Sequence, residues 1–204
     1  LELLLRFGNA VFSSIVNCST CSPVVNAMNL LETAKTELFR SNADRKHPFR
    51  LMYLATRGAY PEVRTVVKRH IDQELRVLFY TDQRSPKVQQ IQHDPRVSLL
   101  FYHPRKQLQV RIRGEASLLT AGSEYEARLQ QIKQSPGLKD YTTGAAPGSL
   151  LQEGTAFGEN DEIHFAMVKI HPHLIDVLQL APKGHQRAEY QWQNDQWAER
   201  RLVP

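Results

Sequence analysis

Residues 107–116 read Gln-Leu-Gln-Val-Arg-Ile-Arg-Gly-Glu-Ala, and this run constrains the fold more tightly than any other in the chain. Successive side chains of a strand point to opposite faces, so Leu108, Val110 and Ile112 go one way while Gln107, Gln109, Arg111 and Arg113 go the other. A helix would scatter the same residues around its axis. The period-two pattern recurs upstream: in residues 63–71, Val63, Thr65 and Val67 alternate with Arg64, Val66 and Lys68, and in residues 75–81, Leu75, Val77 and Phe79 alternate with Arg76, Leu78 and Tyr80. Only Asp72-Gln73-Glu74 separates these two runs, a spacing that suits a hairpin in an antiparallel sheet.

The remaining segments add more strands than helices. Asn29 followed by Glu32 predicts a capped helix ending near Arg40, with Leu31, Ala34 and Leu38 on one face. Residues 49–56 and 97–102 read as strands, and between them Ser85-Pro86 opens a short helix that Asp94-Pro95 closes. Ser123 with Glu126 predicts a capping box for a helix that carries Tyr125, Leu129 and Ile132 and stops before Pro136. Residues 137–162 hold five of the ten glycines without periodicity and read as a long, lid-like loop. Strands follow at 163–170, 175–180, 188–192 and 197–202, with His171-Pro172-His173 as a turn between the first two. The predicted fold class is mainly β with peripheral helices (α+β), a closed or split antiparallel barrel.

Composition narrows the function. A chain of 204 residues, 41% hydrophobic and 23% charged, can bury a real core as one domain. Residues 28–204 are expected to form that domain, with residues 1–27 an extension outside it. The excess of 26 Lys+Arg over 21 Asp+Glu suits an anionic cofactor, substrate or nucleic acid. The basic residues are dispersed, and residues 107–113 carry cations without an aromatic to stack on a base, so no nucleic-acid partner is expected. The chain lacks an apolar run of 18 residues, and a cytoplasmic protein without a membrane partner is expected. Cys18 and Cys21 stand alone, and the eight histidines show no metal-ligand spacing, so no metal is expected.

Cationic and hydroxyl side chains gather at one junction. Thr81 ends a strand, Arg84, Ser85 and Lys87 surround the start of the short helix, and Arg64 lies on a neighbouring strand. A helix N-terminus offers free N–H groups and partial positive charge, so this set suits a phosphate; a solvated basic edge beside an ordinary capped helix would read the same way. Gln109 and Arg111, on the polar face of their strand, suit a heterocycle with donors and acceptors, such as a flavin, or simple exposure.

Four segments together resemble the pyridoxamine 5'-phosphate oxidase family of FMN-binding split barrels. They are Arg64-Thr65-Val66-Val67-Lys68-Arg69, the run from Phe79-Tyr80-Thr81 through Arg84-Ser85-Pro86-Lys87, Asp94-Pro95-Arg96-Val97-Ser98-Leu99-Leu100-Phe101 and Gln109-Val110-Arg111-Ile112-Arg113-Gly114. The end of the chain, His185-Gln186-Arg187, Tyr190, Asn194-Asp195-Gln196-Trp197 and Arg201-Leu202-Val203-Pro204, is similar too. The resemblance implies FMN as cofactor, a homodimer with FMN at the subunit interface, and a small-molecule substrate. It implies FMN contacts from Arg64, Thr65, Val66, Val67, Arg69, Tyr80 and Thr81, phosphate contacts from Ser85 and Lys87 with Arg84 supplying a nearby charge, and flavin contacts from Gln109 and Arg187. Arg69, Ser135, Lys183 and His185 fall at substrate positions. The family's Tyr and Arg of the substrate-phosphate helix fall at Ala127 and Gln131, its flavin-stacking Trp at Val177 or Leu178, and its Arg-Leu-His at Lys183-Gly184-His185. The expected activity is FMN-dependent hydride abstraction from a small substrate, anionic or neutral. The alternatives are a non-catalytic flavin-binding stress or sensor protein and a true pyridoxamine 5'-phosphate oxidase.

Overall fold

The computed structural model describes residues 29–150 and 161–204. Eight strands run in chain order: β1 (Leu51–Arg57), β2 (Pro61–Ile71), β3 (Val77–Asp82), β4 (Arg96–His103), β5 (Leu108–Leu119), β6 (Phe165–Gln179), β7 (Gln186–Gln193) and β8 (Gln196–Leu202). Their order in the sheet is β3-β2-β1-β4-β5-β6-β7-β8, and β3 also pairs with β6. That pairing closes the first six into an antiparallel barrel and leaves β7 and β8 as a flap on β6. Closure gives β3 and β6 partners on both sides, where an open sheet would leave a sticky edge. The mainly β split barrel expected from the alternation is therefore the fold.

The predicted turn at His171-Pro172-His173 is instead the middle of β6. The first half of that strand pairs with β3, from Val77↔Ile170 to Asp82↔Phe165, and the second half with β7, from Leu174↔Gln191 to Gln179↔Gln186. β5 follows both halves, and its register shifts between Arg113 and Gly114. Proline cannot donate a ladder hydrogen bond, but this bulge absorbs the missing N–H without ending the strand. A Cβ on Gly114 would sit 2.0 Å from the His171 carbonyl oxygen, so the two backbones meet only because position 114 is glycine.

Helix α1 (Leu30–Ala43) plugs the barrel, burying Leu30, Leu31, Ala34 and Leu38 in the core with Phe49, Phe79, Phe101 and Val110. Asn29 Oδ1 accepts the Glu32 N–H at 3.2 Å as a cap, while the Glu32 carboxylate pairs with Lys35 at 2.8 Å. Helix α2 (Pro86–His93) packs on β1 and β5, and α3 (Ser123–Lys133) on β6. Tyr125 and Leu129 of α3 join Phe165, Met167 and Tyr141 in a second apolar cluster.

Two local expectations are corrected. Ser123 lies inside the first turn of α3, and the cap is Gly122, whose φ of 98° a side chain would resist, so no capping box forms. Leu75 does not start a strand: it turns the β2–β3 hairpin at φ 61° and buries its side chain completely, so burial and not alternation explains its apolar character. Within the predicted long loop, Pro136–Tyr141 forms a 3-10 helix, and its residues 151–160 lie outside the described residues, as do residues 1–27 with Cys18 and Cys21.

Candidate functional site

The junction singled out in the sequence is a cradle at the mouth of the barrel beside α2. Thr81 and Ser85 are both buried, their hydroxyls 3.2 Å apart, and Lys87 Nζ donates to Thr81 Oγ1 at 3.1 Å. Ser85 is the N-cap residue of α2 by position, yet its hydroxyl makes no capping bond, so it remains turned toward this group. Arg64 reaches in from β2, bonded to Thr56 Oγ1 and, at 3.0 Å, to Gln90 Oε1 of α2. Thr56 Oγ1 in turn donates to Gln90 Oε1 at 2.6 Å. Thr56 and Gln90 escaped the sequence reading because neither carries charge; a polar residue at a buried strand position and an amide one turn into a phosphate-suited helix were the available signals.

The electrostatics of the cradle favour an anion. Burial, then the nearby Arg64 guanidinium, hold the Lys87 ammonium below the usual lysine range, with Asp82 opposing them. Burial also lowers Arg64, against Glu62. Two cations drawn into one partly dry site with neutral hydroxyls between them are the arrangement that a phosphate relieves.

Arg84 is committed elsewhere. It forms a two-point pair with buried Asp82, Nε at 3.1 Å and Nη2 at 2.7 Å, and donates to the Thr143 carbonyl at 2.8 Å and the Gly144 carbonyl at 3.2 Å. It thus straps the segment around residue 143 to the end of β3. Gly148 of the same segment lies over Pro86, where a Cβ would approach the ring to 3.4 Å.

The other predicted site residues fall into separate groups. Val66 points inward opposite Met52, while Thr65 and Val67 face outward opposite Tyr53 and Leu51. Arg69 stacks over the Tyr80 ring at 5.3 Å, beneath α3, on the side of β3 opposite Thr81. Gln109, Leu178 and Arg187 form one row across β5, β6 and β7. This register puts Leu178, and not the fully buried Val177, beside Gln109 and Arg187. Next to that row, buried Asp176 pairs with both Arg111 and Arg187. Ser135 caps the Pro136–Tyr141 helix, its hydroxyl donating to Ile132 O at 2.9 Å. Lys183 and His185 lie on the exposed β6–β7 turn, where His185 Nδ1 accepts the Ala181 N–H at 3.3 Å. Arg69 sits near the Met167 level of β6 and His185 beyond Gln179, about 40 Å of strand apart at ~3.3 Å per residue. Arg69 and His185 thus lie toward opposite ends of β6 within one chain.

Among the described residues, Glu37, His47 and His103 have the compactness of a metal site. Their protons argue against one. The Phe49 N–H donates to His47 Nδ1 at 3.1 Å and the Lys106 N–H to His103 Nδ1 at 3.3 Å, so both rings carry their hydrogen on Nε2. Those Nε2 atoms face Glu37 Oε2 at 3.1 and 3.6 Å, presenting hydrogens where a metal needs lone pairs. Lys106 and Arg40 occupy Glu37 Oε1 at 2.6 and 3.3 Å.

Residues 29–120, which contain β1 through β5 and the cradle, match the model of the pyridoxamine 5'-phosphate oxidase, FMN-binding domain. Over these residues the chain is similar to the FMN-binding domain of the pyridoxamine 5'-phosphate oxidases. FMN is the cofactor of that domain, and the cradle's donors fit its phosphate. The pyridoxine/pyridoxamine 5'-phosphate oxidase of Thermosynechococcus vestitus is 29% identical over 180 residues, covering 80% of this chain and 82% of the relative. That of Cyanothece sp. is 27% identical over 167 residues, covering 75% and 78%. A solved pyridoxamine 5'-phosphate oxidase-related, FMN-binding protein from Nostoc punctiforme shares the fold, with a TM-score of 0.68 at 22% identity over 84% of this chain and 96% of its own. No helix among the described residues is long and apolar enough to cross a membrane.

Proposed function

We propose that this chain is a member of the pyridoxamine 5'-phosphate oxidase-like family of FMN-binding split barrels and acts as a homodimeric FMN-dependent oxidoreductase that removes hydride from a small substrate. The observation that carries the reading is the Arg64–Thr81–Ser85–Lys87 cradle at the α2 N-terminus, where Lys87 is bonded to a hydroxyl and Arg64 is loosely paired with half-exposed Glu62 at 3.5 Å. Ser85 and Lys87 would hold the phosphate directly, Arg64 would close it from β2, and Thr56 with Gln90 would keep Arg64 aimed. Bound FMN would supply the redox chemistry by accepting hydride at N5, while the protein supplies position and charge.

A second copy explains the scatter of the other predicted contacts. Gln109 and Arg187 stand on an outward sheet face, strands away from the cradle, and the same face exposes Leu51, Tyr53, Val63 and Tyr102. Contiguous exposed apolar groups on a sheet favour burial against a partner, and a two-fold contact would set one copy's Gln109 and Arg187 beside the other's Thr65 and Val67. The flavin ring would then lie between protomers.

The visible spectrum of freshly purified protein tests the cofactor. Flavin absorption released as FMN on denaturation is expected, and colourless protein that FMN cannot reconstitute would overturn the assignment. Anaerobic titration with small donors, pyridoxamine phosphate among them, then tests turnover. Bleaching by a donor supports an oxidoreductase; a flavin that no donor reduces leaves a non-catalytic binder.

A further inference from the structure

Asp176 is the most deeply buried carboxylate next to the predicted flavin row, and its place there is not explained by sheet stability alone. It lies on β6 directly between Arg111 of β5 and Glu189 of β7. Its side chain is 1% exposed, while those of Arg111 and Arg187 are 35% and 29% exposed. Arg187 grips it at two points, Nε to Oδ1 at 3.1 Å and Nη2 to Oδ2 at 2.8 Å, and Arg111 Nη2 shares Oδ2. Both arginines thus lean on one carboxylate from the same side of the sheet and keep an accessible flank.

Two features show that this cluster is unfinished in one chain. One carboxylate against two guanidinium groups leaves a net positive charge, since the neighbouring Glu189 is taken by Arg200 at 2.5 Å. The Arg111 Nε atom is buried without a hydrogen-bond partner, a state that costs free energy unless a further acceptor arrives. The row beside the cluster offers the Gln109 amide, the apolar Leu178 and the free side of Arg187. An amide, an apolar patch and a guanidinium in line are the complement of a flat heterocycle whose edge alternates carbonyl and N–H groups.

We infer that Asp176 is a positioning residue that fixes the plane of Arg187 and, by cancelling one of two positive charges, sets the reduction potential of the flavin lying across Gln109, Leu178 and Arg187. This rests on the FMN reading of the preceding subsection. A cation held beside the ring favours the electron-rich reduced flavin, so the potential follows the net charge of the Arg111–Asp176–Arg187 group. Removing the carboxylate charge raises the potential, and removing one arginine lowers it. A carboxylate that only stitched β5 to β7 would give no such pair of opposite signs.

The test is the midpoint potential of bound FMN in wild type, Asp176→Asn, Asp176→Glu and Arg111→Gln, with FMN dissociation constants and urea stability measured in parallel. Asp176→Asn is expected to favour reduced flavin at least tenfold, about 30 mV upward for a two-electron couple. Asp176→Glu is expected to restore the wild-type potential, and Arg111→Gln to move it downward. Arg111→Gln keeps the two-point Asp176–Arg187 pair and reads the effect even if Asp176→Asn does not fold. FMN-loaded variants whose potentials stay with the wild type, whatever their stability, would overturn the inference while leaving the FMN reading standing. Wild-type protein that takes up no FMN would overturn both.

Discussion

Two groups of buried charge in this barrel are built on opposite plans. Near α1, Glu37 is surrounded: two imidazole N–H groups and two cations converge on its carboxylate, and those partners outweigh the burial that would otherwise raise it, so it stays below the usual carboxylate range. Beside α2, Lys87 meets a hydroxyl, while Arg64 meets a hydroxyl, an amide, carbonyls and the half-exposed Glu62 carboxylate at 3.5 Å, and both cations are held below their ordinary ranges. A charge whose partners are all present stabilises the folded chain. A charge still short of a partner marks a place for something else.

Removing the satisfied charge should have the largest effect. Glu37→Leu strands two imidazole N–H groups and should cost about 2–4 kcal/mol, because breaking a buried pair from one side leaves the other side uncompensated. Urea unfolding near neutral pH measures it, and a cost within experimental error would erase the contrast with the cradle. Lys87→Ala should do the reverse, weakening FMN roughly 10–100-fold, as expected for losing a charge-assisted hydrogen bond of about 1.5–3 kcal/mol, while leaving apo stability nearly unchanged. Fluorescence titration with FMN, beside unfolding of the apo protein, separates the two effects.

The pH response should come from the Glu37 group. Burial first, then His47 and Lys106, hold His103 below its ordinary value of 6.5, against the pull of Glu37. The unfolded chain therefore takes up this proton first as pH falls. His103's contribution is whole above about pH 6.5 and is lost as pH drops through the lower folded value. His103→Gln, which keeps a donor toward Glu37 but cannot titrate, should flatten the stability profile between pH 5 and 7 (on the order of that window); an unchanged slope would take His103 out of the linkage. The smallest effect should be a rise in thermal midpoint of wild type, and not of Lys87→Ala, in millimolar inorganic phosphate, through binding to the folded state alone.

The barrel was legible wherever one face of a strand is buried. The alternation of residues 107–116 gives the inward set of β5, and Leu108, Val110 and Ile112 are all fully buried. Ser85-Pro86 correctly opens α2 because proline at the first helical position acts locally. The course of β6 was illegible because a proline in a bulge and a proline in a turn look alike until the partner strand is known. The Glu37 group was invisible for the same reason, since its members come from α1, the segment after it, β4 and the β4–β5 turn. The cradle itself could be read, being drawn from short-range sequence around residue 85 plus Arg64. Its supports Thr56 and Gln90 could not, because an uncharged residue shows its purpose only through the neighbour it touches. Lys68 carries the same lesson: written within a cationic motif, it is 1% exposed, bonded to Asn42 at 2.6 Å, and pushed by burial down to about 8.

The pairing of β3 with β6 also governs how the protein is made. Thr81, Ser85 and Lys87 emerge from the ribosome long before Phe165–Gln179, yet β3 keeps a bare edge until that strand arrives. A nascent chain halted between Lys87 and Phe165 would carry a half-built cradle and an adhesive strand at once, a species for chaperones to shield. Cofactor capture is therefore expected to follow the docking of β6.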